Sequence, residues 1–439
     1  MAKKKTSQAK KKSDSSPKTV IASTRKKKSD EAAAAPGKAH EAWFHEMQKD
    51  RKWAGRVCIT KANEDNASYL LRRPTGVMGL DLALGGGLHA GGLVEIHGGQ
   101  SVGKTHLAYR TAGQVQRIYG DDAVVGIAIT EVNIDKAFAR TCGCCVGYSP
   151  FEIDELNKWR KEHGVPEFTP EEVEDLSKQI GEVFLIKGGT GDAMLQNILE
   201  FMQRVGNDCQ LIIIESLGAL LTPDQDENEV GDRVYGGSAG IVTNFIVKLN
   251  PLLVMPQPDG SQAETTILAI NQARANIGAT SARAPKTKAA SGAWALKHAQ
   301  MASVNMNRAE TIWADGSHTR QSGKVVKWEL TKGKAGCHDG LKGEFNYYHV
   351  PRSQPVFWKD YLMYGSTWGI DTITDLAETA RAVGAVETSG AWLTWHIGEA
   401  PIKAQGTANL AQFLVDNPDL VPKLQEDCLR ASGIVARYR

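Results

Sequence analysis

Short apolar runs alternate with amphipathic stretches through the middle of the 439-residue chain. Leu93–Ile96, Val124–Ile129, Leu211–Ile214 and Thr266–Ile270 read as strands. Between them the apolar residues recur at helical spacing. Leu107, Thr111, Val115 and Ile118 share one face, as do Leu195, Ile198, Leu199, Met202 and Val205, and again Ile241, Val242, Phe245, Ile246 and Leu249. The plain reading of these stripes is buried core. Strands alternating with such helices predict an α/β domain with a mainly parallel sheet. Further on, Ser303–Asn307 and Lys324–Leu330 alternate apolar and polar positions as half-buried strands do, and Glu344–Val350 reads as a third. Helical patterns return after residue 366, broken by a strand-like stretch at Gly390–Trp395, which predicts a small C-terminal domain. Near the start, Trp43, Phe44 and Met47 are spaced for one helical face within 41–54.

Composition alters this picture mainly at the N-terminus. The net charge of +2 hides an asymmetry: residues 1–40 hold 12 Lys/Arg against 3 Asp/Glu, and the rest holds 40 against 47. A lysine-rich segment that cannot bury enough apolar surface is expected to be disordered. It reads either as an electrostatic arm for nucleic acid or as a solubilising tail or nuclear-import signal. No apolar run approaches the ~18 residues of a membrane span, and no apolar stretch follows the basic start. The seven cysteines are odd in number and scattered, which argues for a reducing compartment and a cytoplasmic protein. Cys142, Cys144 and Cys145 lack a second ligand pair at zinc-site spacing, so structural thiols are the reading.

The sharpest chemical signal is Gly98-Gly99-Gln100-Ser101-Val102-Gly103-Lys104-Thr105, which fits G-x-x-x-x-G-K-[ST] between a strand and a helix. Glycines let backbone N–H groups curl round phosphates, and a helix N-terminus favours the anion. Lys104 is expected to reach the β- and γ-phosphates and the Thr105 hydroxyl to ligate Mg²⁺. Glu215, at the end of Leu211–Ile214, supplies the acid such a site needs near its metal. Glu131 closes another strand, where a carboxylate orients the attacking water. Asp135 and Phe138 fit contacts to a nucleotide base, Phe138 by stacking, although each alone reads as structural. Gln272 closes the strand Thr266–Ile270, where it can sense the γ-phosphate. Residues 273–292 follow as a basic loop with Arg274, Arg283, Lys286 and Lys288. Such a loop reads as a nucleic-acid backbone contact or as solvated surface. Residues 224–236 form a second loop, ending in Arg233, Tyr235 and Gly236.

The order of these features resembles the RecA family of homologous-recombination ATPases over roughly residues 41 to 430. Pro74-Thr75-Gly76-Val77-Met78-Gly79-Leu80-Asp81 looks like the family's lead-in to its P-loop. Glu131 through Arg140 looks like its catalytic-glutamate segment, with Asp135 and Phe138 where the family contacts adenine. Glu229–Gly236 resembles its first DNA-binding loop. Asn271-Gln272-Ala273-Arg274 and Ser291-Gly292-Ala293-Trp294 bracket the second. Lys332 and Lys334 fall where the family has two lysines that reach an ATP held by the neighbouring subunit.

The resemblance implies a RecA-like P-loop ATPase core over 74–350, an N-terminal helical, oligomerising segment over 41–73, and a linker with a small α+β domain over 351–439. It also implies ATP and Mg²⁺ as cofactors, single- and double-stranded DNA as partners, a helical homo-oligomer with ATP between protomers, and no membrane. The implied activity is DNA-dependent ATP hydrolysis by a filament on single-stranded DNA that promotes homologous pairing and strand exchange. A ring-forming helicase on the same core and a non-catalytic recombination mediator are the rival readings. Departures suggest a divergent member, with phage or viral origin one expectation. Glu215 stands where Asp is usual, His298 where an interface aromatic is usual, and Gly240 where a basic residue is usual. Residues 150–180 read as an acidic helical insertion, and the sequence ends in Ala436–Arg439 rather than an acidic tail.

Overall fold

The computed structural model describes residues 71–130, 134, 136–220, 239–255, 261–275, 287–289, 294–315, 317–349, 369–398 and 400–439. The basic segment 1–40, the helix expected over 41–54 and the loop 224–236 lie outside the described residues.

A short pair, β1 (Arg72–Arg73) and β2 (Leu88–His89), flanks helix α1 (Met78–Ala83) and leads into β3 (Leu93–Gly98). Helix α2 (Lys104–Tyr119) follows, then β4 (Val124–Ile129), α3 (Lys136–Thr141), α4 (Pro150–Glu162), α5 (Pro170–Ser177), β5 (Glu182–Ile186), α6 (Gly191–Val205) and β6 (Leu211–Glu215). Next come α7 (Ala239–Val254), β7 (Thr266–Ala275), β8 (Thr287–Ala289), α8 (Trp294–Ala299), β9 (Ala302–Trp313), β10 (Gln321–Gly333), β11 (Lys342–Tyr348) and β12 (Gly369–Ile370). The C-terminal region holds α9 (Thr372–Ala382), β13 (Glu387–Ser389), β14 (Trp392–Trp395), β15 (Ile402–Gln405), α10 (Gly406–Asp416) and α11 (Val421–Ala431).

Ten strands form the central sheet in the order β12-β11-β10-β9-β3-β7-β6-β4-β5, with β8 added antiparallel to the end of β7. From β9 to β5 every neighbouring pair is parallel, and from β9 to β12 every pair is antiparallel. Strand alternation distributes the core over two faces. Val94, Ile96, Ile127, Ile213, Leu268 and Ile270 pack with α2 on one side. Leu93, Ile212, Ile214, Ile267 and Ala269 pack with α6, α7 and α8 on the other. Both faces are therefore dry, which is why these strands read as continuous apolar runs.

Helix α2 is buried almost all round rather than along one stripe, with Lys104 and His106 through Gln116 covered. The segment after α3 accounts for this. Gln116 donates to the carbonyls of Cys145 and Ile180, each at 2.8 Å, and accepts from the Cys145 N–H at 2.7 Å. Cys142, Cys144 and Cys145 are buried free thiols against this helix. Burial pushes the Cys144 thiol well above its ordinary range. No group of metal-ligating side chains occurs among the described residues.

The stretch 150–180 folds as α4 and α5. Each opens on a reciprocal capping box, Ser149 with Glu152 and Thr169 with Glu172, and each has proline at its start. Some boundaries differ from those expected. Strand β7 continues past Ile270 to Ala275, so residues 273–275 and 287–289 pair as strands within what reads as loop. That pairing joins segments distant in sequence and has no local signature. Strand β12 completes the central sheet before the C-terminal region begins. There, Leu376, Leu393, Trp395, Leu410, Leu414, Val421 and Leu424 form a separate core that also takes in Met78 of α1.

Candidate nucleotide-binding site

The loop after β3 is held by backbone geometry that only glycine satisfies at two points. Gly98 has φ +148°, and a Cβ there would lie 1.9 Å from the Met306 carbonyl oxygen. Gly103 has φ +93°, and its Cβ would press on the Tyr347 ring at 3.1 Å. Val102 is buried and anchors the loop, whereas Gln100 and Ser101 are exposed at its apex. Lys104 folds back onto the loop and donates to the Gly99 carbonyl at 2.6 Å. These carbonyls hold the ammonium where a phosphate would otherwise take it.

Three strand ends converge on this loop. The β3–β7 register sets Gln272 directly beside Gly98. Glu215, at the tip of β6, accepts a hydrogen bond from the Thr105 hydroxyl at 2.8 Å. A hydroxyl and a carboxylate in contact are the hard oxygen donors that suit Mg²⁺, so these two residues fit the metal role expected of them. The longer Glu side chain reaches the helix start directly. The tip of β4 is tied to the same point: the Thr130 N–H donates to the Glu215 carbonyl at 2.8 Å, and the Thr130 hydroxyl accepts from the Ser216 N–H at 2.7 Å. Glu131 follows Thr130 in the chain but, like Asp135, lies outside the described residues. Phe138 is half-buried and meets His106 and Tyr109 edge-on, with ring centroids 6.1 and 6.2 Å apart.

Beneath this site is a network that sequence reading missed. Glu95 is buried and accepts from Asn271 Nδ2 at 2.9 Å and Ser303 Oγ at 3.1 Å. It locks β3 to both neighbours, β7 and β9, one turn of the pleat below the loop. Its signal was a lone acid inside the apolar run Leu93–Ile96, where a buried carboxylate has to be hydrogen-bonded. His97 stands between Glu95 and Lys104, and burial lowers its pKa more than the carboxylate raises it. His106 is fully buried, and burial holds its pKa down at about 3.

Other candidates stand apart. Lys332 and Lys334, at the end of β10, donate to the carbonyls of Lys297 and His298, the latter at 2.7 Å, and so cap α8. Through β9, Lys332 lies level with Glu95, three residues before Gly98 along β3, and Lys334 lies one residue beyond the level of Val94. For Lys332 that is about 10 Å along the strand at ~3.3 Å per residue. The structure does not bring them to the P-loop of their own chain. His298 stacks on Trp294 at 6.1 Å. The backbones of Arg274 and Lys288 pair in register between β7 and β8. Arg233, Tyr235, Gly236, Arg283, Lys286, Ser291 and Gly292 lie outside the described residues. Gly240 sits in the first turn of α7, where among the described residues no atom outside that turn comes within 4 Å of a Cβ position.

A strand, a glycine-bounded loop, a helix opening on Lys-Thr and a carboxylate from a neighbouring strand tip define a P-loop nucleotide-binding protein. The sequence matches the family described as the RecA N-terminal domain over residues 42–148 and 161–337, well over half of the chain. The interruption falls where α4 lies. Protein RecA of Ruminococcus albus is 27% identical over 387 residues, covering 87% of this chain and 78% of the relative. Protein RecA of Leifsonia xyli subsp. xyli is 29% identical over 392 residues, covering 89% and 88%. That of Thermus thermophilus is 28% identical over 363 residues, covering 82% and 86%. The chain belongs to the RecA family, whose members are nucleotide-binding recombination ATPases at the family level. No helix among the described residues is long and apolar enough to cross a membrane.

Proposed function

We propose that this protein is a DNA-dependent ATPase that assembles on single-stranded DNA and promotes pairing and strand exchange with a homologous duplex. The observation that carries the reading is the convergence of Lys104, Thr105, Glu215 and Gln272 on one loop in a RecA-family chain. Gly98 through Thr105 cradle the triphosphate. Thr105 and Glu215 hold Mg²⁺, which when bound neutralises charge on the β- and γ-oxygens. Glu131 orients and deprotonates the attacking water, and Asp135 and Phe138 contact the base.

Lys332 and Lys334 act on the nucleotide of an adjacent protomer. Their separation from their own P-loop along the sheet supports that assignment. Gln272 links the γ-phosphate to the DNA-holding segments, because it lies beside Gly98 on the strand that runs on into Arg274. Arg274, Arg283, Lys286, Lys288, Ser291 and Gly292 hold DNA on one side, and Arg233, Tyr235 and Gly236 on the other.

Phosphate release with and without single-stranded DNA, paired with electron microscopy of the same samples, tests the reading. Stimulated turnover on helical filaments is expected. Rings would favour a helicase, and binding of ATP without DNA-stimulated release would favour a mediator.

A further inference from the structure

Lys324 on β10 is only 5% exposed, yet it carries a charge. Its ammonium donates to the carbonyl oxygen of Ser101 at the apex of the P-loop. It also lies 4.5 Å from the centre of the Tyr347 ring, the ring that packs under Gly103. Among the described residues it is in ion-pair contact with no carboxylate. Its charged surroundings are of its own sign. Burial lowers the pKa of Lys324, and Arg308, exposed on the neighbouring β9, is near enough to lower it further; burial and then both cations lower that of His349. A buried ammonium among like charges, with a carbonyl and a ring face for company, is costly unless an anion completes its surroundings. The loop it touches is the one built to receive phosphates.

We propose that Lys324 is a second phosphate-binding lysine of the nucleotide site, one that exchanges the Ser101 carbonyl for a phosphate oxygen of the incoming nucleoside triphosphate. Arg308 extends the same positive field. The inference rests on the nucleotide-binding reading of the loop and adds a cation from β10 opposite Lys104. The bland alternative is that Lys324 merely ties the loop apex to the sheet, a task that needs a donor but no charge.

Lys324→Gln separates the two, because an amide keeps a donor for Ser101 but not the charge. Titration of the full chain with Mg·ATP is expected to show binding weakened on the order of tenfold in both Lys324→Gln and Lys324→Met, with the loss shrinking at high salt. Thermal unfolding without nucleotide should show neither variant less stable than the parent. Arg308→Glu, an exposed change, should weaken binding several-fold in the same salt-dependent way. Wild-type affinity in Lys324→Gln, or a loss in Lys324→Met that tracks lowered stability and ignores salt, would overturn the inference while leaving the nucleotide reading intact. Failure of the parent chain to bind Mg·ATP would remove that reading first.

Discussion

At the C-terminal ends of the parallel strands, functional side chains have partners from the same chain: Lys104 on the Gly99 carbonyl, Thr105 on Glu215, Gln272 beside Gly98. At the far end of β10, Lys332 and Lys334 donate to the carbonyls of Lys297 and His298 at the end of α8. The first region gathers the groups proposed to bind a triphosphate. The second presents two cations in ion-pair contact with no carboxylate among the described residues, although Asp339 and Glu95 are near enough to favour the charge on Lys332. The difference is what the proposed shared site would require: binding groups gathered on one loop, and a further pair of charges set apart from it. A helix-end carbonyl is a weak partner for an ammonium compared with phosphate, so under the proposal these lysines would exchange partners at little cost.

The largest effect should come from the self-contained half. Lys104→Ala is expected to lower ATP turnover by at least about a hundredfold, since it removes the charge placed at the β- and γ-phosphates. Steady-state phosphate release would read this, and near-normal turnover would mean the chemistry lies elsewhere. A smaller and more selective change is expected from Gln272→Ala. It should leave Mg·ATP affinity nearly unchanged and reduce the stimulation by single-stranded DNA by about tenfold. Normal stimulation in that variant would sink its role as a link.

The smallest effect concerns the joint between the core and the C-terminal region. Asp81 accepts hydrogen bonds from Thr75 and Gly76, and Asp375 accepts from the Gly79 N–H at 3.2 Å. Burial raises both carboxyl groups from 3.8 to about 7. Between those limits the unfolded chain has released these protons and the folded chain has kept them. Stability from this pair therefore falls as pH rises through the window and levels off above about 7. Asp375→Asn, which stays neutral, should gain on the parent as pH rises from about 4 to about 7 in urea melts. A difference independent of pH would show that Asp375 is not the titrating group.

Much of this was legible locally. The P-loop motif carries its own strand, turn and helix, so Gly98 to Thr105 could be read from adjacent residues alone. Glu215 was legible because it ends a run of four apolar residues. The stripes through Leu195, Ile198, Leu199 and Met202 are buried, as periodicity indicated. What was hidden depended on contacts across the sheet. No pattern in Thr266–Gln272 reveals that Gln272 pairs with Gly98, since strand order is a tertiary property. Lys324 in an alternating strand looks like any solvated lysine until β11 and the loop close over it. Strand β5 escaped notice because it is an edge: Phe184 and Leu185 are 43% and 40% exposed, and no clean alternation marks it. Glu95 was visible, but its partners Asn271 and Ser303 come from strands far along the chain.

The central claim is that one protomer's lysines complete its neighbour's nucleotide site. Mixing two inactive variants tests it most directly. Lys104→Ala lacks the binding half, and a Lys332→Ala, Lys334→Ala double variant lacks the pair set apart from it. Each alone should release little phosphate in the presence of single-stranded DNA. Mixed, they should regain activity wherever a protomer with intact Lys104 lies beside one with intact Lys332 and Lys334. A mixture no more active than its two components, in assemblies shown to contain both, would contradict the shared site.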